Sequence, residues 1–242
     1  SSDVCSSDLR LASLEEQLVK ALPGNNLTAY VAFRGLQADY AARISKPGED
    51  FSKILSDWVA KLTQFVQAYP KAEDTPDALL QLGMVSEFLG KEVEAKNWYN
   101  QIVKNFAGKP QTAKAAGSIR RLESEGQPLS LVGTQLGNPS QTFDLTSIRD
   151  KMVIVYYWAS WNGQTVGDFA KLKLIQDTYA AKGLELVCVN LDNTQEEATT
   201  FLKRSPITAQ HLYQSGGLEG KLATDYGIQV LPHVFLIGKD GK

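Results

Sequence analysis

The stretch that decides the fold reads Met152-Val-Ile-Val-Tyr-Tyr-Trp-Ala159 and continues as Ser160-Trp161-Asn162-Gly163-Gln164-Thr165. Its first part is an unbroken apolar run rich in β-branched and aromatic side chains, which is typical of a strand buried on both faces of a sheet. Apolar residues then recur at helical spacing, at Val166, Phe169, Leu172, Ile175 and Tyr179. The sequence therefore predicts a strand that passes through a short turn into a helix.

The residues that follow continue this alternation of strand and helix. The pattern predicts strands at 184–191, 211–213 and 234–237 and helices at 196–204 and 218–226. This order is typical of an α/β sheet with right-handed crossovers. Asp240-Gly241 after the last strand is a hairpin signal without a returning strand. We therefore expect that the last strand is cut off and that the uncovered sheet edge favours association.

Three segments of this region resemble the thioredoxin-like proteins. Val155–Trp161 before a helix resembles their active-site strand and turn, Leu145–Lys151 resembles the lead-in, and Tyr226–Pro232 resembles the proline loop. The nearest group is the redoxins related to alkyl-hydroperoxide reductase and thiol-specific antioxidant proteins, including exported thioredoxin-like reductants. The resemblance covers residues 128–242. It implies a thioredoxin-like fold, a cis Pro232 facing the turn, and an extracytoplasmic or periplasmic location.

The turn departs from that family at the two positions that carry its chemistry. The family motif is Trp-Cys-x-x-Cys, whereas this chain has Trp161-Asn162-Gly163-Gln164-Thr165. Neither Asn nor Thr forms a thiolate, and thiol–disulfide exchange requires attack by a thiolate. We therefore predict that the chain lacks dithiol–disulfide oxidoreductase activity. Asn162 is a favourable N-cap residue and is expected to start the helix.

The cysteine and histidine content limits the remaining chemistry. The chain has two cysteines, Cys5 and Cys188, and two histidines, His211 and His233. A disulfide framework, a cysteine metal site and a bound cofactor are therefore not predicted. Cys188 lies in the middle of an apolar strand, where a cysteine is usually a buried, unreactive hydrophobe.

The former active-site surface is the candidate binding site. Its residues are Trp161, Asn162, Thr165, Leu231, Pro232 and His233. An apolar patch beside a helix N-terminus suits an extended peptide or a small anion. The leading hypothesis is a binding or scaffolding module with a protein or peptide partner, held at this groove or at the helical region.

Two alternative functions use the same fold. One is an active thiol–disulfide oxidoreductase or peroxidase that uses Cys188 or a partner's thiol. The other is an enzyme of another class built on His233 and Asn162. General base catalysis needs a positioned partner, and the nearest carboxyl in sequence, that of Asp168, lies one helical turn further along.

Residues 10–126 have a helical pattern throughout. Asp50 can cap a helix that Pro70 ends, and a second helix runs from Pro76 to Gly90. A third follows, with apolar residues at Val93, Trp98, Ile102 and Phe106. Segment 77–106 resembles a tetratricopeptide repeat, whose key spacings are occupied by Leu79, Leu82, Gly83, Ala95 and Tyr99. The helices are interpreted either as plain packing or as a surface that docks a partner.

Length and charge complete the domain assignment. A chain of 242 residues suffices for two domains. Its net charge of −2 gives no indication of nucleic-acid binding, and no apolar run reaches the roughly 20 residues of a membrane span. We predict a helical domain at 10–126 and a C-terminally incomplete thioredoxin-like domain at 127–242, with the polar segment Glu123–Pro128 as the linker. Ser1–Leu9 is interpreted as non-native, because Asp3–Leu9 matches the translation of a common sequencing adapter.

Overall fold

The structure, a computed structural model of the chain, describes residues 13–14, 16–22, 25–148 and 150–242. The chain divides into two compact units between Ala115 and Ala116. The predicted linker near Pro128 therefore falls inside the second unit, and a domain beginning at residue 127 stays a prediction. The segment interpreted as non-native, Ser1–Leu9, lies outside the described residues.

The described part of the first unit is built from helices, as predicted. It includes α1 (Asn26–Ile44), α2 (Phe51–Ala68), α3 (Thr75–Phe88), α4 (Glu92–Asn105) and the start of α5 (Pro110–Leu122). Asp50 caps the start of α2, as predicted, because its carboxyl accepts a hydrogen bond of 2.9 Å from the Ser52 N–H. Pro76 lies in the first turn of α3.

The helix pair α3–α4 is built around a close contact between a glycine and a tyrosine. A Cβ placed on Gly83 would lie 2.2 Å from Tyr99 Cε1. The four other residues at the repeat spacings, Leu79, Leu82, Ala95 and Tyr99, are buried. Val93, in contrast, is 74% exposed, so the expectation that it lines the apolar face of α4 is wrong. The likeness to a tetratricopeptide repeat stays a prediction.

The second unit contains a six-stranded mixed sheet. Its strands are β1 (Val132–Gln135), β2 (Asn138–Asp144), β3 (Met152–Trp158), β4 (Leu184–Asn190), β5 (Gln210–Tyr213) and β6 (His233–Ile237). They lie in the order β2-β1-β5-β4-β3-β6. The central pairs β3–β4 and β4–β5 are parallel, whereas β6 runs antiparallel to β3. The connections between its strands include the helices α6 (Thr165–Tyr179), α7 (Gln195–Arg204) and the short α8 (Lys221–Thr224).

Strand β3 is buried on both faces, as its apolar run predicts. Val155 and Tyr157 belong to one hydrophobic cluster, and Tyr156 and Trp158 belong to another. Consecutive side chains of a strand point to opposite faces, so β3 contributes to both layers of the core. The turn at residues 159–164 therefore begins at the carboxyl end of a strand that lies between two others in the sheet.

The apolar stripe predicted for α6 is buried only in part. Phe169 and Leu172 are buried, whereas Val166, Ile175 and Tyr179 are exposed. Ile175 and Tyr179 line an open groove together with Met152, Ile154, Lys182, Leu184 and Leu236. Helical periodicity identifies an apolar face, but it does not show how much of that face is covered.

Candidate functional site

The turn after β3 and the proline loop before β6 lie at the same end of the sheet. The two strands are antiparallel, and Tyr157 near the end of β3 pairs with His233 at the start of β6. The Leu231–Pro232 peptide bond is cis, as the family resemblance implies. The topology thus brings the two predicted halves of the site together.

Asn162 organises the turn, although not from the predicted position. Its side-chain oxygen accepts a hydrogen bond of 3.0 Å from the Gln164 N–H, and its carbonyl accepts one of 3.1 Å from the Thr165 N–H. Helix α6 begins at Thr165 with Gln164 as its N-cap. The expectation that Asn162 is the N-cap is therefore wrong by two residues, because its side chain closes an Asx turn ahead of the helix.

Thr165 lies beneath the surface rather than on it. Its side chain is fully buried, and its hydroxyl donates a 2.9 Å hydrogen bond to the Ala159 carbonyl. A buried hydroxyl with a partner is not available to a ligand. Thr165 therefore ties the start of α6 to the end of β3.

A buried carboxyl group holds the other end of the turn. Asp192 is fully buried, and its Oδ1 accepts hydrogen bonds from the Ser160 N–H at 2.8 Å and the Ser160 hydroxyl at 2.9 Å. Its Oδ2 accepts a 2.7 Å hydrogen bond from the Asn190 side-chain amide. Sequence reasoning missed this network. The available signal was two polar residues, Asn190 and Asp192, at the carboxyl end of a buried strand.

The exposed part of the site is apolar. Trp161 is 57% exposed and Val230 is 63% exposed. Leu231, Pro232 and His233 are half-buried. The His233 ring packs edge-to-face against the Phe235 ring at 5.1 Å between centroids. Trp161, Val230 and the half-buried residues 231–233 therefore give this part of the site a mainly hydrophobic surface.

Cys188 lies in the core, away from solvent. It is fully buried, and burial raises the pKa of its thiol far above the ordinary value because the charged form would be desolvated. This confirms the expectation of a buried cysteine. A thiol of this kind supplies almost no thiolate at neutral pH.

The Asp168 carboxyl group binds two neighbouring side chains, Tyr156 and Lys171. Its Oδ2 accepts a 3.1 Å hydrogen bond from the Tyr156 hydroxyl, and its Oδ1 lies 3.4 Å from Lys171 Nζ. Burial, followed by the charge of Asp168, raises the pKa of Tyr156 well above the ordinary value. Tyr156 and Asp168 therefore bind each other, and neither serves as a general acid or base beside Asn162 and His233.

Two negative findings apply to the described ranges. In residues 13–14, 16–22, 25–148 and 150–242, no group of three or more histidine, cysteine, aspartate and glutamate side chains is arranged to hold a metal ion. In the same ranges, no helix is both long enough and apolar enough to cross a bilayer.

The fold and the site define a thioredoxin-like domain, and residues 150–242 match the family model described as thioredoxin-like. Its relatives are thiol–disulfide oxidoreductases. The chain is 26% identical over 99 residues to the thiol-disulfide oxidoreductase ResA of Bacillus thuringiensis subsp. konkukian (strain 97-27), covering 41% of this chain and 56% of the relative. It is 26% identical over 98 residues to ResA of Geobacillus thermodenitrificans (strain NG80-2), covering 40% and 55%. The chain thus spans little more than half the length of these curated relatives.

Two solved structures are also similar to part of the chain. A thiol-disulfide oxidoreductase from Bacteroides fragilis NCTC 9343 is 21% identical, with a TM-score of 0.43, and the match covers 48% of this chain and 85% of that one. The thioredoxin domain of a thiol-disulfide oxidoreductase from Bacteroides vulgatus is 17% identical, with a TM-score of 0.43 and coverage of 48% and 81%.

Proposed function

We propose that the thioredoxin-like domain is a binding module that holds an extended polypeptide segment at the surface formed by Trp161, Asn162 and Leu231–His233, without dithiol–disulfide exchange. The observation that supports this most directly is the combination of an exposed Trp161 with Asn162 and Thr165 at the cysteine positions. An aromatic group beside a proline loop suits apolar side chains of an extended chain. Thr165 supports this surface from below.

The alternative function, thiol–disulfide oxidoreductase or peroxidase, is favoured by the names of the relatives. Those names describe proteins of which this chain spans little more than half, and fold alone does not determine activity. Within the described residues Cys188 is the single free thiol, and it is buried. Use of Cys188 would require the sheet to open, so this alternative depends on a thiol from a partner.

We also propose an extracytoplasmic location, in line with the resemblance to exported thioredoxin-like reductants. Export of a reporter fused to the complete native gene product would test this location. Retention of the reporter in the cytoplasm would argue against it.

The first experiment separates chemistry from binding. Reduction of a protein disulfide by dithiothreitol is measured with the unmodified protein and with the Asn162→Cys/Thr165→Cys variant. We expect turnover only in the variant, because it alone carries cysteines at the two positions of the family's Cys-x-x-Cys motif. Turnover by the unmodified protein that a Cys188→Ser change abolishes would overturn the proposal.

The second experiment measures binding directly. The probe is a permanently unfolded, cysteine-alkylated polypeptide, and its affinity is followed by fluorescence anisotropy. Trp161→Ser is expected to weaken binding at least about tenfold, as for loss of an aromatic anchor. Tyr179→Ser is the matched control, since it removes an exposed aromatic ring from the separate groove on α6. Equal loss in both variants, or no binding by the unmodified protein, would reject this surface.

A further inference from the structure

Three consecutive backbone carbonyls, at residues 225–227 in the chain that leads to the cis Pro232, accept hydrogen bonds from one helix. The Arg120 guanidinium donates to the Asp225 carbonyl at 2.9 Å, and the Arg121 Nε–H donates to the Tyr226 carbonyl at 3.0 Å. The Ser118 hydroxyl donates to the Gly227 carbonyl at 3.4 Å. All three donors belong to the second half of α5, within the second compact unit.

The same helix approaches this loop at van der Waals distance through a glycine. A Cβ on Gly117 would lie 2.0 Å from the Thr224 carbonyl oxygen and 2.4 Å from the Gly227 nitrogen. Both atoms belong to the backbone, so neither can turn aside as a side-chain end would. Only glycine at position 117 lets α5 reach the carbonyls that Arg120 and Arg121 bind.

Tyr226 fixes the loop from another direction. Its side chain is buried, its hydroxyl donates a 2.8 Å hydrogen bond to the Ser130 carbonyl, and it accepts one of 3.0 Å from the Ser130 N–H. The Tyr226 ring also packs against Phe235 of β6 at 5.4 Å. Residues 225–227 are thus held by α5, by the segment before β1 and by β6, and two residues separate them from the Val230–His233 loop.

We propose that Gly117, Ser118, Arg120 and Arg121 are positioning residues for the polypeptide-binding surface, acting through residues 225–227 on the Leu231–His233 loop. This inference rests on the proposed function for its consequence in binding. Guanidinium groups suit the role because their charged donors make stronger hydrogen bonds to carbonyls than neutral donors do. The functional thioredoxin-like unit then includes the end of α5, ahead of the predicted boundary at residue 127.

The test compares the full chain with its Arg120→Ala/Arg121→Ala variant by hydrogen–deuterium exchange and by binding of the alkylated polypeptide. We expect exchange in residues 228–234 to rise about tenfold or more, as for the loss of two charge-assisted hydrogen bonds, while β4 is unchanged. Arg204→Ala on α7 is the matched control and should leave residues 228–234 unchanged. Arg121→Lys in place of Arg121→Ala should restore part of the protection, because its ammonium group can still donate.

Gly117→Ala provides an independent variant, with Gly167→Ala as its control, since no atom lies within 4 Å of a Cβ at Gly167. Unchanged exchange in 228–234 would overturn the positioning role. An equal rise in β4, together with a lower melting temperature, would also overturn it, in favour of a general contribution to stability. If the unmodified protein does not bind the polypeptide, the proposed function fails, and the exchange pattern still decides whether α5 positions the loop.

Discussion

At the scale of single residues, the turn of the candidate site depends on side chains that a ligand would never touch. The Asp192 carboxyl group accepts three hydrogen bonds, two from Ser160 and one from Asn190. Ser160 immediately precedes Trp161, so the same network fixes the point from which the exposed indole projects. The shape of the turn is therefore maintained without a disulfide at positions 162 and 165.

Replacement of Asp192 tests this role. Asp192→Ala leaves the partly buried Ser160 N–H and hydroxyl and the buried Asn190 amide without this acceptor, so we expect a loss of about 3 kcal/mol in the free energy of unfolding. Asp192→Asn should cost less, because it retains one oxygen acceptor. Urea denaturation measures the change, with Asp177→Ala on the exposed side of α6 as the control, for which about 0.5 kcal/mol or less is expected. A loss as small as that of the control would show that Ser160 does not need its buried acceptor.

The sequence predicted some of these residues and not others for physical reasons. Trp161 and Pro232 were predicted because motif and resemblance place them at the turn and the loop. Thr165 was expected on the surface because the resemblance places it at a cysteine position of the motif. Its hydrogen bond to the Ala159 carbonyl, which accompanies its burial, cannot be predicted from the spacing of residues in the sequence. Asp192 and Arg121 were missed because Ser160 and Tyr226, to which they bind, lie 32 and 105 residues away in the sequence. A polar residue after a strand or in a last helical turn is also ordinary.

At the scale of elements, strands β3 to β6 were predicted more completely than the helix faces, whereas β2 was not predicted. A continuous apolar run rich in β-branched and aromatic residues, such as Met152–Trp158, favours a strand covered on both faces, and β3 is buried along most of its length. For α6 and α4, the spacing of apolar residues predicts which side of the helix is apolar, but it does not predict how much of that side is buried by other elements. Val166 and Val93 accordingly prove exposed, at 56% and 74%.

The packing of α3 on α4 gives an element-scale prediction. Alanine favours a helix over glycine by about 1 kcal/mol, but at Gly83 its Cβ would lie 2.2 Å from the fully buried Tyr99 ring. Moving that ring would also break the 2.6 Å hydrogen bond from the Tyr99 hydroxyl to Glu87. Gly83→Ala should therefore destabilise the first unit by about 1–3 kcal/mol, as overpacking does.

The matched control for Gly83 is again Gly167, which lies in a helix with open space around it. Gly167→Ala should leave stability unchanged or raise it by up to about 1 kcal/mol, since only propensity changes. Thermal unfolding followed by circular dichroism measures both variants. A stabilised Gly83→Ala protein would show that α3 and α4 separate easily at this contact, and the close approach would then have no structural importance.

At the scale of the whole molecule, one imidazole links stability to pH near neutrality. His211 Nε2 lies 3.0 Å from the Ile207 carbonyl and must carry the proton of that hydrogen bond, because a carbonyl only accepts. Nδ1 is buried and, in the part of the chain that the structure describes, has no hydrogen-bond partner. Burial consequently lowers the pKa of His211 below its ordinary value of 6.5.

The direction of the pH effect follows from this lowered pKa. Below about pH 6.5 the imidazole of residue 211 becomes protonated in the unfolded chain but stays neutral in the folded protein. Lowering the pH therefore favours unfolding. The contribution of His211 to stability is present in full above pH 6.5 and is lost as the pH falls towards the pKa of the folded state. Urea midpoints measured between pH 7.5 and 5 should therefore decline, and His211→Gln should flatten that decline while the contributions of carboxyl groups remain. An unchanged slope in the His211→Gln protein would mean that the imidazole is protonated as readily in the folded chain as in the unfolded one, with its Nδ1 reaching solvent or a partner.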